Sequence, residues 1–262
     1  MAIARTARVV ATERTEATCV VELETAEPLG FIGGQYIIVD SGLVLPSGKA
    51  AKRAYSILTS DADQRRFRLA VKQIPNGLVS GFMHQLAPGA SLAFSGPWGK
   101  LGPVADAATT DAANTEGAAG TAIAAHDAGT TLVLATDTGI SAALGLVQAA
   151  RMRALLPATV LIWLQVDGER FLPEAVVRAH IPAGCGAIRF AALPPIGHPE
   201  RVPYVRALVA EEMARTPGGV ARGFISGDGA VNYAVLDDLV AAGIPATRDS
   251  VESFFNMPKK SA

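Results

Sequence analysis

The chain has 262 residues, of which 50% are hydrophobic and 18% charged, and its net charge is −1. This composition excludes a globally disordered chain, and the charge disfavours a protein that binds nucleic acid by neutralising phosphates. At about 150 residues per domain the length predicts two domains. We identify neither an apolar stretch of the ~18 residues that a membrane helix needs nor a secretory signal, so we expect a cytoplasmic protein without a membrane span.

The first domain is predicted over residues 1–103, where short runs rich in β-branched residues alternate with Gly, Pro and Asp turns. This spacing is typical of an antiparallel β-barrel or sandwich. One short helix is predicted from Ser80 to Leu86, because Phe82, Met83 and Leu86 share a helical face. The predicted strands cover residues 7–12, 19–23, 36–39, 54–58, 67–71 and 91–95.

Residues 104–130 contain mainly Ala, Thr, Gly and Asp, so we predict a flexible linker or insertion there. Residues 131–262 alternate between strand and helix patterns. This alternation predicts a Rossmann-like α/β domain, with a parallel sheet that binds ligands beyond the carboxyl ends of its strands. The predicted strands cover residues 132–135, 159–164, 187–191 and 223–225, and the predicted helices run up to residue 150, over 203–214 and over 230–242.

The two cysteines, Cys19 and Cys185, are far apart in sequence, and neither belongs to a Cys-x-x-Cys pair. An iron–sulfur cluster or a zinc site cannot be assembled from them. We therefore predict no metal site and interpret both residues as structural thiols.

The segment Arg53-Ala54-Tyr55-Ser56 carries three groups that suit a flavin nucleotide. A guanidinium pairs with phosphate, a phenol ring stacks on a flat ring system, and a hydroxyl forms a hydrogen bond with a ring atom. Strand alternation places Arg53 and Tyr55 on one face, and Ala54 and Ser56 on the other. A bend or a barrel edge would let all four reach one ligand.

The segment Gly77-Leu78-Val79-Ser80 opens the predicted helix, with Ser80 as its N-cap. The free amides and the positive dipole end of a helix N-terminus favour a pyrophosphate. Further along, residues 96–99, with the sequence Gly-Pro-Trp-Gly, predict a tight turn after the last strand of the barrel.

Arg-x-Tyr-Ser, Gly-x-x-Ser and Gly-Pro-x-Gly in this order resemble the signals of the ferredoxin–NAD(P) reductase-like flavoproteins. The resemblance continues in residues 134–141 (LATDTGIS), which are similar to the family's nucleotide loop, usually Gly-x-Gly-Thr-Gly-Ile-[Ser/Thr]-Pro. Residues 226–229 (SGDG) resemble its later Cys-Gly turn, and residues 251–255 (VESFF) resemble its C-terminal Glu-x-aromatic segment. The resemblance spans nearly the whole chain and implies an FAD-binding barrel followed by an NAD(P)-binding domain.

The resemblance implies roles for five residues around the flavin ring. Arg53 would bind the FAD pyrophosphate, Tyr55 would stack on the isoalloxazine, and Ala54 lies between them. Ser56 would lie near the flavin N5, where hydride arrives, which makes it a candidate catalytic residue. Val71 would offer a backbone contact beside the flavin.

The resemblance also implies that Gly77, Leu78, Val79 and Ser80 hold the pyrophosphate and the adenine side of the cofactor. This helix favours FAD over FMN, because FMN has no pyrophosphate.

The remaining implied contacts concern the nicotinamide nucleotide, NADH or NADPH. Residues of the first βα turn would cradle its pyrophosphate, and residues of a later turn would lie near the nicotinamide. Phe254 or Phe255 could cover the flavin face until nicotinamide displaces it, or the C-terminal segment could merely pack where the domains meet; Ser226 and Phe255 are further candidate catalytic residues. The two turns contain Thr136, Thr138, Gly139, Ile140, Ser226, Gly227 and Asp228.

Three residues depart from the family pattern. Asp137 replaces a glycine, and its carboxylate would oppose a pyrophosphate unless it points away or forms local hydrogen bonds. Ala142 replaces a proline, and Ser226 replaces a cysteine, which could slow hydride transfer.

The choice between NADH and NADPH should depend on the segment after the second strand of the nucleotide domain. Asp167 and Glu169 would repel a 2′-phosphate, whereas Arg170 could reach it. We favour NADH on this basis.

Together these patterns predict an oxidoreductase that takes hydride from NAD(P)H onto FAD and passes electrons to a separate iron–sulfur protein such as ferredoxin, to a flavodoxin or to an oxygenase component. One alternative is a reductase of small acceptors such as free flavin, quinone or ferric chelates. Another is a flavin-binding electron-transfer subunit or sensor without turnover, which Asp137 and Ser226 would suit.

Overall fold

A computed structural model describes residues 4–103, 129–168 and 171–257. They form a six-stranded antiparallel sheet followed by a five-stranded parallel sheet with helices. This confirms the predicted fold class. The boundary at residues 104–130 stays a prediction, because residues 104–128 lie outside the described part, while Thr130 already belongs to a strand.

The antiparallel sheet has the strand order β4-β3-β6-β1-β2-β5. An isolated bridge between Ile57 and Leu69, together with a hydrogen bond of 2.9 Å from Leu58 N to Arg68 O, links its two ends and closes it into a barrel. Phe67 packs inside, with its ring centroid 6.2 Å from that of Phe31 and 6.1 Å from that of Phe94. The strands are β1 (Ala4–Arg14), β2 (Thr18–Glu24), β3 (Tyr36–Val44), β4 (Ala50–Ser56), β5 (Arg66–Lys72) and β6 (Ser91–Trp98).

The helix of the barrel, α1 (Leu78–Gln85), begins two residues before the predicted start. The predicted N-cap is wrong: Gly77 precedes the helix, and Ser80 lies inside its first turn. The reason is a turn in which Gly77 N donates to Ile74 O at 2.8 Å and delivers the chain directly into the helix. The turn predicted over residues 96–99 is also wrong, because β6 continues to Trp98 by pairing with Tyr36.

The parallel sheet has the strand order β11-β10-β7-β8-β9. Its central strand β7 is almost wholly buried, as expected for a strand covered on both faces. α2 and α3 pack on one face, and α4 and α5 on the other. The elements are β7 (Thr130–Thr136), α2 (Ile140–Val147), β8 (Thr159–Val166), α3 (Glu174–Ala179), β9 (Ala187–Leu193), α4 (Arg201–Arg215), β10 (Val220–Asp228), α5 (Gly229–Ala241) and β11 (Val251–Phe255).

The barrel packs directly against α2. A side chain on Gly145 of this helix would place its Cβ 2.3 Å from the carbonyl oxygen of Ile57, so the helix backbone touches the barrel backbone. Gln148 Nε2 donates to Leu58 O at 2.8 Å, and Arg151 donates to Gly33 O at 2.9 Å. Buried Leu58 and Leu101 of the first half belong to the same apolar cluster as α2. We call these contacts the domain seam.

Among the described residues, the helices are too short or too polar to cross a membrane.

The domain seam yields a first prediction. Gly145→Ala should lower the free energy of unfolding by about 1–3 kcal/mol, because the new methyl group meets rigid backbone and forces α2 away from the barrel. Urea unfolding followed by circular dichroism measures this change. Gly81→Ala, on α1 with open space around its Cβ, is the matched control and should be neutral or stabilise by up to ~1 kcal/mol. Equal effects of the two substitutions would contradict the backbone contact.

Candidate active site

A cleft of about 250 Å³ lies between the barrel and the carboxyl edge of the parallel sheet. Eleven residues that the sequence singled out line it, and they come from β4, α1, the start of the α/β half and β11. These are Arg53, Ala54, Tyr55, Ser56, Gly77, Leu78, Val79, Ser80, Thr138, Phe254 and Phe255. The cleft thus brings together residues that are up to 202 positions apart, from Arg53 to Phe255.

Strand β4 supplies one wall of the cleft. Arg53, Ala54, Tyr55 and Ser56 all line it, although alternation divides them between two faces, because they lie at the end of a strand on the edge of the barrel. Burial raises the pKa of Tyr55 to about 12, and Arg53 opposes this rise. The phenol therefore stays protonated and offers a neutral ring for stacking.

The N-terminus of α1 forms the next wall. Ser80 Oγ donates to Gly77 O at 3.2 Å and accepts from Ile74 N at 3.3 Å. A Cβ on Gly77 would lie 2.4 Å from this hydroxyl, so the turn tolerates only glycine without rearrangement. The first amides of the helix have no partners within the helix, which suits a bound phosphate group.

Strand β5 contains Val71, whose predicted backbone contact beside the flavin stays a prediction. The Val71 side chain is fully buried in the barrel core, and its carbonyl lies 3.1 Å from His84 Nε2. Alternation instead points its neighbours Ala70 and Lys72 towards the cleft. Val71 is therefore absent from the lining.

Ser141, in the first turn of α2, lines the cleft but was not among the predicted site residues. Its side chain is 3% exposed, and its Oγ has no hydrogen-bond partner among the described residues. Because buried hydroxyls are nearly always paired, this atom fits a contact with a bound cofactor or substrate. The quoted loop motif contains Ser141, and that was the only sequence signal for it.

A buried ion network lies beside the cleft, beneath the carboxyl edge of the sheet. Arg201 is 2% exposed, donates Nε to Asp228 Oδ2 at 2.7 Å and pairs through Nη2 with Asp137 Oδ2. Its Nη1 donates to the carbonyl of Pro194. Burial raises the pKa of Asp137, and Arg201 opposes that rise.

This network determines where the unusual Asp137 points. The residue has φ of +50°, a conformation that favours glycine, and its carboxylate turns to Arg201 and to Val166 N, 3.3 Å away. Its carbonyl accepts a hydrogen bond of 2.9 Å from Trp163 Nε1. The carboxylate is therefore neutralised within the protein and does not line the cleft.

Several of the remaining predicted residues of the two turns form hydrogen bonds with each other at the carboxyl edge of the sheet. Thr136 Oγ1 accepts from Asp228 N at 2.8 Å, and Ser226 Oγ donates to Gly139 O at 2.9 Å. Thr136, Gly139, Ile140, Ser226, Gly227 and Asp228 are buried and absent from the cleft lining. Thr138 is thus the one residue of the predicted nucleotide contacts in these turns that lines the cleft.

Strand β11 brings Phe254 and Phe255 to the cleft, and Glu252 of the same strand lies near Tyr36 and Gly99. Burial raises the pKa of Glu252 to about 7. The sequence pattern included Glu252 without indicating that its carboxyl group would be partly buried.

Comparisons with known proteins agree with this architecture. Residues 9–102 match the profile of the oxidoreductase FAD-binding domain family. Ferredoxin–NADP reductase B of Sorangium cellulosum (strain So ce56) is 30% identical over 204 residues, which cover 73% of this chain and 71% of the relative.

Two solved structures show the same fold. One is a ferredoxin NADP+ reductase from Neisseria gonorrhoeae with bound FAD and NADP, which matches with a TM-score of 0.65 and 16% identity over 97% of this chain and 100% of the other. The second is the ferredoxin reductase in carbazole 1,9a-dioxygenase, which matches with a TM-score of 0.65 and 18% identity over 97% of this chain and 70% of the other.

The ion network yields a second prediction. Arg201→Met leaves two buried carboxylates without their cation, so the free energy of unfolding should fall by about 3–5 kcal/mol in urea titrations. Arg206→Met is the matched control, because Arg206 lies on the same helix and pairs with Asp238 at 2.6 Å on the exposed surface. This pair should contribute less than about 1 kcal/mol. Losses of equal size would show that burial of the network is unimportant.

Glu252 yields a third prediction, for pH dependence. Because the pKa rises from 4.5 in the unfolded chain to about 7 in the folded protein, the folded state retains a proton that the unfolded state releases. Stability from this group is full below pH 4.5 and is lost as the pH rises to about 7, by about 3 kcal/mol in total.

Glu252→Gln should remove this pH-dependent term, so the melting temperature of the variant should fall less than that of the parent chain between pH 5 and pH 8. Thermal scans across this range measure the difference. Parallel curves for the two proteins would exclude a raised pKa at Glu252.

Proposed function

The chain belongs to the ferredoxin–NADP reductase family of FAD-binding oxidoreductases, and we propose that it takes hydride from NADH or NADPH onto FAD and delivers electrons to a separate protein. The observation that carries this proposal is the cleft itself. It joins the Arg-x-Tyr-Ser strand and the α1 N-terminus of the barrel to Thr138 and Ser141 of the α/β half. One groove thereby offers groups for a flavin and an entry for a nucleotide from the sheet edge.

The residues present fit FAD. Arg53 would pair with its pyrophosphate together with the amides at the start of α1. Tyr55 would stack on the isoalloxazine, and the unpaired Ser141 hydroxyl would gain a hydrogen-bond partner. The bound flavin would supply the capacity to accept two electrons as hydride and to release them singly. A phosphate site at α1 favours FAD over FMN.

The protein's own contribution is positioning and exclusion of water. Direct hydride transfer between the two cofactors would require near-contact distance and correct alignment of their rings, which the lining residues would have to hold. Ser56, buried at the end of β4, would bind near the reacting edge of the flavin. Phe254 and Phe255 would cover the flavin face and move aside for nicotinamide.

The direction of the Asp137 carboxylate supports turnover. A carboxylate in the nucleotide loop would repel a pyrophosphate if it faced the cleft, but here it is paired with Arg201. The Ser226 hydroxyl likewise donates its hydrogen bond to the Gly139 carbonyl, and Ser226 does not line the cleft. The departures from the family pattern therefore leave the groove open to a nucleotide.

We further propose a ferredoxin, a flavodoxin or an oxygenase component as the electron acceptor. The family membership supports this choice, and the chain's two cysteines, both free, cannot form a cluster of their own. Free thiols also support a cytoplasmic location.

Stopped-flow absorbance of the purified FAD-loaded protein tests this function. We expect rapid bleaching of the flavin on mixing with NADH or NADPH, and faster reoxidation by a ferredoxin than by free flavin, quinone or ferric chelate. Bleaching followed by faster reoxidation by a small acceptor would overturn the acceptor assignment. A flavin that stays oxidised with both nucleotides would overturn the enzyme assignment and favour a sensor or an electron-transfer subunit.

A matched pair of variants links the activity to the cleft. Arg53→Met removes a charge-assisted contact with pyrophosphate and should weaken FAD binding about 10- to 100-fold in fluorescence titrations. Lys52→Met, one residue earlier, removes an exposed cation that pairs with Asp40 at 2.8 Å and lies outside the cleft lining. It should leave FAD affinity unchanged.

A further inference from the structure

The C-terminal strand β11 brings two consecutive phenylalanines to one cleft, although regular alternation would separate them. Neighbouring side chains on a strand point to opposite faces, yet Phe254 and Phe255 both line the flavin cleft. The pairing with β10 explains this arrangement. Ser253 lies opposite Gly227 and Phe255 lies opposite Asp228, so Phe254 is the extra residue of a β-bulge. Bulges redirect side chains, and this one turns both rings, which we call the aromatic pair, towards the same cleft.

The chain on the amino side of the aromatic pair is fixed by a buried side chain. Asn232, in the first turn of α5, is 0% exposed and donates Nδ2 to Glu252 O at 3.1 Å and to Ser253 Oγ at 3.0 Å. Phe254 itself packs against the apolar cluster that α2 shares with the barrel. Moving this side of the pair would leave a buried amide without its partners and open a cavity in the cluster. The position of Phe254 is therefore fixed.

The chain on the carboxyl side of the aromatic pair is held by a hydrogen bond at the surface. Asn256 is exposed, has φ of +49°, and donates Nδ2 to Asp228 Oδ1 at 2.8 Å. Asp228 is 0% exposed and is itself held by Arg201, so it is a rigid anchor. Phe255 belongs to none of the three apolar clusters that the described residues form. Because an exposed contact opens at lower cost than a buried one, this side of the pair opens first.

Resting on the proposed function, we propose that Asn256 is a positioning residue whose hydrogen bond to Asp228 holds Phe255 in the cleft and limits the access of nicotinamide to the flavin. Phe254 stays in place as a wall, which confines the movement that admits nicotinamide to Phe255 and the chain after it. Nicotinamide binds only those molecules in which Phe255 has moved aside, so the apparent dissociation constant of the nucleotide rises as this open fraction falls. The hydrogen bond of Asn256 sets that fraction.

Stopped-flow reduction of the FAD-loaded protein over a range of NADH and NADPH concentrations tests this role. Asn256→Gly keeps the positive φ and removes the amide, so the apparent dissociation constant should fall about 3- to 10-fold. The rate at saturating nucleotide should stay unchanged, because the open fraction affects binding and not the transfer itself. Asn256→Asp, of nearly the same size, turns the attraction to Asp228 into repulsion and should act in the same direction. Asp249→Asn is the matched control, because it alters a side chain that is 44% exposed before the start of β11, and it should change neither quantity.

Two further measurements show whether the hydrogen bond acts through Phe255. Phe255→Ala should lower the apparent dissociation constant by itself, and Asn256→Gly should then have no additional effect, because both substitutions act through one ring. Fluorine NMR of the oxidised protein labelled with fluorophenylalanine reports the rings without any turnover. Asn256→Gly should shift the resonance of Phe255 and leave that of Phe254 in place, with each resonance assigned by substitution to alanine.

An apparent dissociation constant that is unchanged in both Asn256 variants would overturn the role of Asn256 while the proposed function stands. A shift of the Phe254 resonance without one for Phe255 would overturn the assignment of the moving ring. A flavin that neither nucleotide reduces in the parent protein would overturn the proposed function instead, and the NMR comparison would still test the hold of Asn256 on Phe255.

Discussion

The arrangement of the nucleotide half depends on one buried guanidinium. Arg201 bonds to Asp137 after β7, to Asp228 at the end of β10 and to Pro194 after β9. Asp137 extends the network to Val166 at the end of β8, and Asp228 extends it to Asn256 after β11 at 2.8 Å. The carboxyl ends of all five parallel strands are thereby tied together at the edge where α/β sheets bind ligands. Because buried carboxylates without a cation cost several kcal/mol, this network holds the edge in a single arrangement.

The cleft also requires the two sheets to keep a fixed position relative to each other. The lining residues come from separate elements of the barrel and the α/β half, and the packing of α2 on the barrel helps to bring them together. Gly145 permits this packing by allowing backbone to touch backbone. A looser seam would separate Tyr55 from Thr138, and a hydride transfer is sensitive to displacements of about 1 Å.

The sequence predicted the fold class from local patterns of strands and helices, and most of the residues that line the cleft from the order of motifs shared with the family. The buried strand β7 has a strong short-range signal, whereas the Arg-x-Tyr-Ser segment is weak alone and gained its meaning from the order of motifs along the chain. The start of α1 was misplaced because a turn at Ile74 and Gly77, rather than a capping Ser80, begins the helix. α3 and β11, with six and five residues, were too short for periodicity to identify. Asp137 was recognised as unusual, but its partner lies 64 residues further along the chain, and no local pattern predicts such a pairing.

The two halves of the site differ in the cationic groups that they offer to the phosphates of a bound cofactor. In the proposed arrangement, Arg53 and the positive end of α1 would bind the FAD pyrophosphate, which would favour tight retention of a resident cofactor. On the nucleotide side the guanidinium of Arg201 is paired with two carboxylates, so it would not be available to bind a phosphate of the nucleotide. A co-substrate must leave after each hydride transfer, and tight binding of both its forms would slow release without lowering the chemical barrier. Internal neutralisation of Arg201 therefore suits a site that holds one cofactor firmly and exchanges the other.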